Sequence, residues 1–555
     1  MTRQPGGFPS TRFRGVRVDP IAVGLFALGV LLLLQVSRLN FLSQDANWDL
    51  LNYHAYVPAS LLGGSWFSDV HPASIQTYLC PYQDLLLWPL VSSVPAPIAT
   101  AVLVAVQVSI FVPLGLILRT TVPGLSLARA LAVGLIGVSG AMTMTELGST
   151  MGDILPAVLV AWALYLLLSV LSGQPLRAER RASLAGALVG IAVALKFTVA
   201  YIAPGLLAIA VVLVFAGKRR SAWLFLLVAS AVAVILYTPW ALVLQSQTGS
   251  PVFPLFNAIF QAPRYPAIDF QDTRFPVTSL LDLALLPIRQ GLGTSATSEL
   301  TFRDVRWAMA ILAVGLGIGV TASRAYRTGA RPRGSAHLPG LALLAFWCIS
   351  YVTWAVVFGV QRYAVLLEVL ALSVIAIGVS SALPRLLTTR ISLPGVILLA
   401  VLLAGTTQIV DFGRRPMGWA PLVPTQTVGP LTRYDAIVIG SDPLAFMRAV
   451  TREAPGSSGQ AWVGKPFNEA DLLVVEEALR GRSVAILFYS DQRAAATAVA
   501  GSLHLQLTDE CQSFENPMSN WVGLESVELC SASPSPSGSA HETSPTAAAP
   551  RRARG

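Results

Sequence analysis

Charged residues are scarce in this chain of 555 residues: Asp, Glu, Lys and Arg make up 12% of it, hydrophobic residues make up 54%, and the mean hydropathy is +0.63. In a soluble globular protein, charged residues account for about a quarter of the chain. The scarcity of charge therefore excludes a soluble globule and indicates a polytopic membrane protein.

Two other features are missing. No small-residue cleavage site follows the first apolar run, so this run is expected to remain as a membrane anchor. The basic residues also form no nucleic-acid-binding patch: the net charge of +9 is accounted for by short loops beside the apolar runs and by Arg551, Arg552 and Arg554 in the tail. Nucleic acid is therefore not expected as a partner.

Apolar runs long enough to cross roughly 30 Å of hydrocarbon recur as far as residue 410. We predict about eleven membrane spans, of which the run that ends before Lys196 is short. The predicted spans are residues 20–36, 98–118, 127–145, 154–171, 184–195, 199–216, 222–244, 306–322, 338–360, 363–383 and 391–410.

Basic clusters lie on alternate loops, and short loops rich in Lys and Arg stay in the cytoplasm. The N-terminus is therefore expected in the cytoplasm, and an odd number of spans puts the C-terminus outside. The first loop (37–97), the turn 146–153, the loop 245–303 and everything after Asp411 are then also outside. The basic residues are Arg12, Arg14, Arg17, Arg119, Arg129, Arg177, Arg180, Arg181, Lys218, Arg219, Arg220, Arg324, Arg327, Arg331, Arg333, Arg385 and Arg390.

The sequence changes character after residue 410, where strand-like runs alternate with helical ones. We predict an α-helical polytopic membrane protein with a small extracytoplasmic α/β domain. Its parts are a cytoplasmic segment (1–19), a membrane domain (20–410), the α/β domain (411–530) and a disordered tail (531–555). Expected strands are Ala436–Ile439 and Val484–Tyr489, and expected helices are 443–453, 469–480 and 492–502.

Cys511 and Cys530 both fall in the domain predicted to face outwards. An oxidising compartment permits a disulfide there. Two cysteines alone do not establish the geometry, so the sequence leaves the bridge open.

A polar segment follows the first predicted span. It reads Ser43-Gln44-Asp45-Ala46-Asn47-Trp48-Asp49-Leu50-Leu51-Asn52-Tyr53-His54-Ala55-Tyr56 and combines acids, amides, a histidine and aromatic residues. Ionisable groups near hydrocarbon are costly unless a partner or a function keeps them there. We therefore expect chemistry at the membrane boundary in this segment.

Group transfer on the outer face needs an activated donor that the membrane carries, because nucleotide sugars and ATP are not normally available outside. A polyprenyl-phosphate sugar meets this requirement. Its transfer needs a carboxylate that takes the proton of the acceptor hydroxyl, and cations or hydrogen-bond donors that stabilise the departing phosphate.

Several short motifs follow one another along residues 20–410. They are Asp49, Tyr53, Tyr56, Gly63-Gly64, Glu146, Asp153, Lys196-Phe197-Thr198, Pro239-Trp240, Thr248-Gly249-Ser250-Pro251-Val252-Phe253-Pro254 and Gln361-Arg362-Tyr363. Taken in order, they resemble motifs of the GT-C glycosyltransferases, multi-spanning enzymes that use lipid-phosphate sugars on the outer face. In that superfamily an acidic motif opens the first outer loop and precedes a helix with Tyr and small residues that ends near Gly.

The resemblance implies that Asp49 is the general base, with Asp45 as the second candidate. If the segment is helical, the four-residue spacing puts both acids on one face. Lys196 and Arg362 are expected to hold phosphate oxygens, Arg bidentately and Lys as a point charge. The other expected substrate-binding residues are Asn52, Tyr53, His54, Glu146, Asp153 and Tyr363.

The implied reaction is direct displacement, which would invert the anomeric centre. The expected partners are a polyprenyl-phosphate sugar donor, a glycan or lipid-linked acceptor, and membrane lipid. A chain rich in Ala, Arg and Gly is typical of a GC-rich bacterial genome, so the expected location is a bacterial cell membrane. No cofactor is certain, and a divalent cation stays open, although His54, His71 and the nearby acids match no tight ligand motif.

Alternative interpretations accompany these assignments. Asp45 and Asp49 could cap a helix that starts near Leu50, and Lys196 and Arg362 could reach towards lipid headgroups. A transporter or flippase of lipid-linked saccharides is the competing function, and a non-catalytic envelope assembly protein is the third. The halves of the chain show no obvious repeat, and the polar clusters lie at span ends on one side, which favours an enzyme.

Overall fold

The structure is a computed structural model. It describes residues 19–41, 43–173, 177–270, 272–328, 338–382, 402–403, 405–425, 430–451, 459–518 and 526–535. Outside the described residues lie Arg12, Arg14, Arg17, Arg331, Arg333, Arg385, Arg390, most of the span predicted at 391–410 and most of the tail predicted at 531–555.

Helices dominate the chain up to residue 382. In chain order, α1 to α16 are Pro20–Phe41, Tyr56–Gly63, Tyr82–Ser93, Ala96–Val108, Phe111–Thr121, Leu127–Gly137, Ala141–Glu146, Ile154–Leu171, Ala178–Leu195, Ala203–Phe215, Arg219–Thr248, Asn257–Phe260, Leu280–Leu292, Arg306–Thr328, Leu338–Val357 and Val365–Ala382.

Within the described residues, 6 helical stretches are long and apolar enough to cross a membrane. This confirms a helical, polytopic membrane protein, whereas the predicted count of eleven spans is not confirmed. The stretches are Ala96–Thr121, Ile154–Leu171, Phe197–Phe215, Arg219–Thr248, Leu338–Val357 and Gln361–Ser381, and the shorter apolar helices are Pro20–Leu33, Leu127–Gly137 and Arg306–Val320.

The span predicted at 127–145 is wrong as one continuous helix, because it is divided into α6 and α7. The backbone at Gly140 approaches α16 so closely that a Cβ there would lie 2.0 Å from Glu368 Oε1. Thr143 N donates to Glu368 Oε1 at 2.8 Å, and Ala141 N donates to Asp304 Oδ2 at 2.9 Å. The first turn of α7 thus finds carboxylate acceptors for N–H groups that a helix start leaves unpaired.

Arg306 compensates the charge of Asp304 at this helix start. Its Nε donates to Asp304 Oδ1 at 2.8 Å, and its guanidinium also donates to the carbonyl oxygens of Gly137 at 3.1 Å and Ser139 at 2.6 Å. Arg306, Asp304 and Glu368 each have 0% exposure. This network fixes the break between α6 and α7 and therefore the position of the turn after Glu146.

The C-terminal part of the chain contains a β-sheet. From β1 to β7 the strands of the structure are Ser43–Asp45, Arg414–Pro416, Ala436–Ile439, Ala461–Val463, Val484–Tyr489, Leu505–Glu515 and Ser526–Pro534. Five of them form a 5-stranded sheet in the order β4-β3-β5-β7-β6, and β1 pairs separately with β2. β3 is parallel to β4 and β5, while β7 is antiparallel to β5 and β6. The α/β prediction is therefore confirmed.

The helices of this part are Phe446–Val450, Glu469–Leu479 and Arg493–Ser502. Two of them agree with the prediction to within a residue. The helix expected at 443–453 is wrong in length: it begins only at Phe446, after the cis-proline turn Asp442-Pro443. A disulfide joins Cys511 on β6 to Cys530 on β7 and answers the question that the sequence left open.

The segments predicted to share the outer side meet at one end of the helices. β1 of the first loop pairs with β2, and Val70 forms a parallel bridge with Val463 on β4. His71 Nε2 lies 2.9 Å from Asp471 Oδ2, and both side chains are fully buried. The first loop therefore packs into the α/β part, although the boundary near residue 410 stays a prediction.

We expect Arg306→Ala to lower the free energy of unfolding by about 3–5 kcal/mol, because it leaves Asp304 as an uncompensated buried charge. Denaturant titration of the detergent-solubilised protein measures this change. Arg220→Ala is the control, because the pair of Arg220 with Glu179 is exposed, at 79% and 46%, and such pairs contribute little. Equal stability of Arg306→Ala and the wild type would contradict the role of the network.

Candidate active site

A cavity of about 870 Å³ lies where the first loop meets the ends of α9, α11 and α16. Its wall contains acids, cations and aromatic rings together with apolar side chains. Trp48 and Ile268, which line it, are 39% and 56% exposed, so the cavity reaches the surface. The charged or potentially charged lining residues are Asp49, His54, Asp84, Lys196, Asp269, Asp272, Arg274, Glu299 and Arg362.

Asp49 and Arg362 form an ion pair inside this cavity. Asp49 precedes a π-helical turn, Leu50–His54, which is a form of helix that often marks functional sites. Arg362 lies in the 3₁₀ turn Gln361–Ala364 that leads into α16, and its guanidinium carbon is 5.3 Å from the centre of the Tyr363 ring. The pair thus connects the first loop to the start of α16.

Lys196 forms the second ion pair of the site. Its Nζ lies 2.7 Å from Asp153 Oδ1 and donates to Met151 O at 2.8 Å. The same Nζ is 5.6 Å from the centre of the Tyr363 ring. Lys196 ends α9 and Asp153 precedes α8, so two predicted outer turns place their charges together. Tyr363 lies beside both cations.

Asp45 and Asp49 do not share a helix face, so that expectation is wrong. Asp45 belongs to β1 and points to the turn before α8, where its Oδ2 accepts hydrogen bonds from Thr150 N and Thr150 Oγ1, each at 2.7 Å. Asn47 Nδ2 also donates to Asp45 Oδ1 at 2.8 Å. Asp45 is therefore placed to hold the turn, and it is not among the residues that line the cavity.

The capping interpretation does not fit Asp49, whose side chain makes no cap hydrogen bond. Asn47 acts there instead: its Oδ1 accepts a hydrogen bond from Leu50 N at 2.9 Å. Sequence reasoning missed this role, although Asn at a helix start is a recognised signal. The Asp49 carboxylate is therefore free of the helix start and available to the cavity.

The remaining predicted site residues divide between the cavity wall and the interior. Tyr53, His54 and Tyr363 line the cavity. Asn52 is 1% exposed and lies behind the wall, and among the described residues its Oδ1 has no hydrogen-bond partner. Asp153 is buried at 5% and reaches the cavity only through Lys196.

Glu146 is almost fully buried, at 1% exposure, behind the wall. Within the described part of the chain neither of its carboxylate oxygens has a hydrogen-bond partner. Burial, and after it the negative charge of Asp153, raises the pKa of Glu146 well above its ordinary value. A protonated, neutral Glu146 is the form that such surroundings favour.

Asp49 shows the opposite shift. Burial alone would raise the pKa of Asp49, but the charges of Arg362, His54 and Lys196, together with the hydrogen bond from Arg362, hold it below its ordinary value. The ionised carboxylate is therefore the stable form of Asp49 in this structure. Its state depends on Arg362 staying in place.

Asp84 is a cavity residue that sequence reasoning missed. It lies in the first turn of α3, and its Oδ1 is 2.6 Å from His54 Nδ1. The signal that could have found it is a single acid between Leu79 and the apolar run Leu85-Leu86-Leu87. An isolated acid in apolar surroundings is costly, so a hydrogen-bonding or charged partner is expected for it.

The chain resembles solved membrane proteins in overall fold. ArnT from Cupriavidus metallidurans bound to undecaprenyl phosphate matches at 14% identity with a TM-score of 0.48, over 92% of this chain and 97% of that chain. The Archaeoglobus fulgidus oligosaccharyltransferase in its apo form matches at 15% identity with a TM-score of 0.46, over 88% and 69%.

A structure of AglB from the same archaeon, with an inhibitory peptide and a dolichol-phosphate, matches at 14% identity with a TM-score of 0.45, over 87% of this chain and 71% of that chain. No protein-family model and no curated protein sequence matches the chain. These similarities concern the fold and not the chemistry of the site.

A further structure of the Archaeoglobus fulgidus oligosaccharyltransferase, in complex with zinc and sulfate, matches at 14% identity with a TM-score of 0.46, over 89% of this chain and 72% of that chain. Among the described residues, the one group of three close ligand atoms comprises Cys511, Glu528 and Cys530, and its two sulfur atoms are bonded to each other. In the cavity, Asp49 faces Arg362 and Asp153 faces Lys196. The two cations suit an anionic substrate group.

The two shifted carboxylates predict opposite dependences of stability on pH. The stabilisation that Asp49 gives the folded protein is present above its unfolded pKa of about 3.9 and is lost as the pH falls through its lower folded pKa. The stabilisation that Glu146 gives is present below its unfolded pKa of about 4.3 and is lost as the pH rises through its higher folded pKa. Thermal unfolding in detergent at a series of pH values measures both.

We expect the melting temperature of Asp49→Asn to lie below that of the wild type, by an amount that shrinks as the pH falls below about 4. Glu146→Gln, which mimics the neutral form, should gain stability relative to the wild type as the pH rises towards 7. Melting-temperature differences that run in the same direction for the two variants would contradict the charge states assigned here.

Proposed function

We propose that this protein is a membrane glycosyltransferase that moves a sugar from a polyprenyl-phosphate donor to an acceptor hydroxyl on the extracytoplasmic face. One observation carries the proposal: a buried carboxylate, Asp49, shares a surface-reaching cavity with two cations, Arg362 and Lys196. A proton acceptor and two phosphate-binding groups in one cavity are what this transfer needs.

Asp49 is the proposed general base. It removes the proton of the acceptor hydroxyl while the hydroxyl oxygen attacks the anomeric carbon of the donor. The bond between that carbon and the phosphate oxygen breaks, and polyprenyl phosphate leaves with the bonding electrons. A single displacement of this kind inverts the anomeric centre, so the product linkage has the opposite configuration to the donor.

Arg362 and Lys196 are the proposed phosphate ligands. A guanidinium binds phosphate oxygens bidentately, and an ammonium adds a point charge. Both cations already have carboxylate partners in this structure, so an incoming phosphate competes with Asp49 for Arg362 and with Asp153 for Lys196. Transfer of Arg362 to the phosphate would release Asp49 and strengthen it as a base.

Tyr363, Tyr53 and His54 are proposed to position the substrates from the cavity wall. Asp45, Asn52, Glu146 and Asp153 are proposed to act from behind it: Asp45 through the Thr150 turn, and Asp153 through Lys196. Phe412 lines the cavity, whereas no residue of the described ranges 430–451, 459–518 and 526–535 does. The five-stranded sheet and its helices are therefore proposed to support the first loop, which they contact at Val70 and His71.

The outer face is proposed because the cavity-forming segments are those that the distribution of basic residues places outside. At the opposite end of the helices, Arg129 pairs with Asp19 at 2.7 Å, where cytoplasmic loops are predicted. The charged pairs of the cavity lie at helix ends and do not interrupt mid-membrane helices, which favours an enzyme over a transporter.

We expect Asp49→Asn to lower the rate of sugar transfer by about 10²–10⁴-fold, the usual contribution of a general base. The assay follows radiolabelled sugar from an undecaprenyl-phosphate donor into envelope acceptors in membranes. Asp509→Asn, at a fully exposed position of β6, is the matched control and should keep full transfer.

Full transfer by Asp49→Asn would contradict the assignment of the base. Movement of the lipid-linked sugar across the membrane without bond formation would instead identify a flippase. Mass analysis of envelope glycans from cells that lack the protein identifies the sugar and its acceptor.

A further inference from the structure

His54 and Asp84 form a buried pair within the cavity wall. His54 Nδ1 lies 2.6 Å from Asp84 Oδ1, and the side chains are 7% and 8% exposed. Among the described residues the second ring nitrogen, Nε2, is buried without a hydrogen-bond partner. Both residues line the cavity that holds Asp49 and the two cations.

The contact with Asp84 determines what His54 can do. When the carboxylate accepts the proton on Nδ1, the lone pair of the neutral ring is on Nε2, which becomes a proton acceptor. Once Nε2 is protonated, both ring nitrogens are donors, and the negative charge of Asp84 stabilises the imidazolium. A carboxylate and a histidine arranged in this way orient and strengthen a base in many hydrolases.

Asp49 has to lose the reaction proton before the next transfer. Once the phosphate leaves and Arg362 pairs with Asp49 again, the charges of Arg362 and Lys196 favour the ionised carboxylate. His54 ends the π-helical turn that Asp49 precedes, and its charge acts on Asp49. His54 Nε2 is therefore a second proton acceptor beside Asp49.

We propose that His54 Nε2 receives the reaction proton from Asp49, with Asp84 as the residue that positions the ring. This inference rests on the proposed glycosyl transfer. The acceptor O–H bond breaks as the new C–O bond forms, and the proton passes to Asp49. It then moves to His54 Nε2, directly or through one water, while polyprenyl phosphate departs. The imidazolium releases the proton to solvent, and both groups return to their starting states.

The groups that influence His54 come from several elements. Asp49 and Tyr53 lie on its own turn, and the Tyr53 ring is centred 4.1 Å from the imidazole. Asp84 comes from α3, and the helix Phe446–Val450, which packs against the turn, carries Arg448, directed to Asp69 at 3.9 Å. The other charges around the cavity are Lys196 from the end of α9 and Arg362 from the turn before α16.

The test compares His54→Gln with the wild type in the full-length protein, reconstituted with an undecaprenyl-phosphate sugar donor that supports transfer. We expect kcat to fall at least tenfold while the KM for the donor changes less than twofold. His504→Gln, on the exposed surface of the α/β part, is the control and should behave as the wild type.

Asp84→Asn provides a second measurement if His54→Gln fails to fold. It keeps an oxygen that can accept from Nδ1 but removes the charge that stabilises the imidazolium, so kcat should fall while the KM for the donor changes less than twofold. Asp84→Glu, which restores the carboxylate, should recover part of kcat, and such a recovery is not expected from a residue that only packs.

Three outcomes would overturn the inference in different ways. An unchanged kcat in His54→Gln, with Asp49→Asn inactive, refutes the role of His54 and leaves the proposed function standing. An unchanged kcat in Asp84→Asn refutes the role of Asp84. Wild-type protein that transfers sugar from no polyprenyl-phosphate donor refutes the proposed function and the relay with it.

Discussion

The ion pair between Asp49 and Arg362 is the contact on which the site depends. It joins the first loop to the start of α16, and it is largely shielded from water, with side-chain exposures of 10% and 16%. Removing one partner of such a pair leaves an uncompensated charge, which is strongly destabilising. In the proposed reaction, an anionic substrate group that binds Arg362 would replace Asp49 at little electrostatic cost and release its carboxylate.

The scaffold holds this pair in place through buried polar contacts. Asp304 and Glu368 accept hydrogen bonds from the first turn of α7, Arg306 pairs with Asp304, and the turn that follows α7 then presents Thr150 to Asp45. Each of these groups would be costly to bury alone. Because they satisfy one another, this end of the helices can hold charges at fixed positions.

Sequence reasoning predicted the membrane class, the α/β part and two of its helices because these depend on periodicity and composition. It also selected Asp49, Lys196 and Arg362, which the structure brings into one cavity. It failed where a long-range contact decides the local structure: Gly140 approaches Glu368 and breaks a predicted span, and the partner of Asp45 is Thr150, 105 positions away. Asp84 belongs to no motif, and only its short distance to His54 in the structure identifies it as a residue of the site.

The proposed reaction requires the donor phosphate to replace Asp49 as the partner of Arg362. A structure of the reconstituted protein with undecaprenyl phosphate bound would show whether this replacement occurs. We expect a phosphate group within hydrogen-bond distance of Arg362 and Lys196, with the Asp49 carboxylate released towards the cavity. A phosphate bound elsewhere, with the ion pair between Asp49 and Arg362 intact, would rule the replacement out.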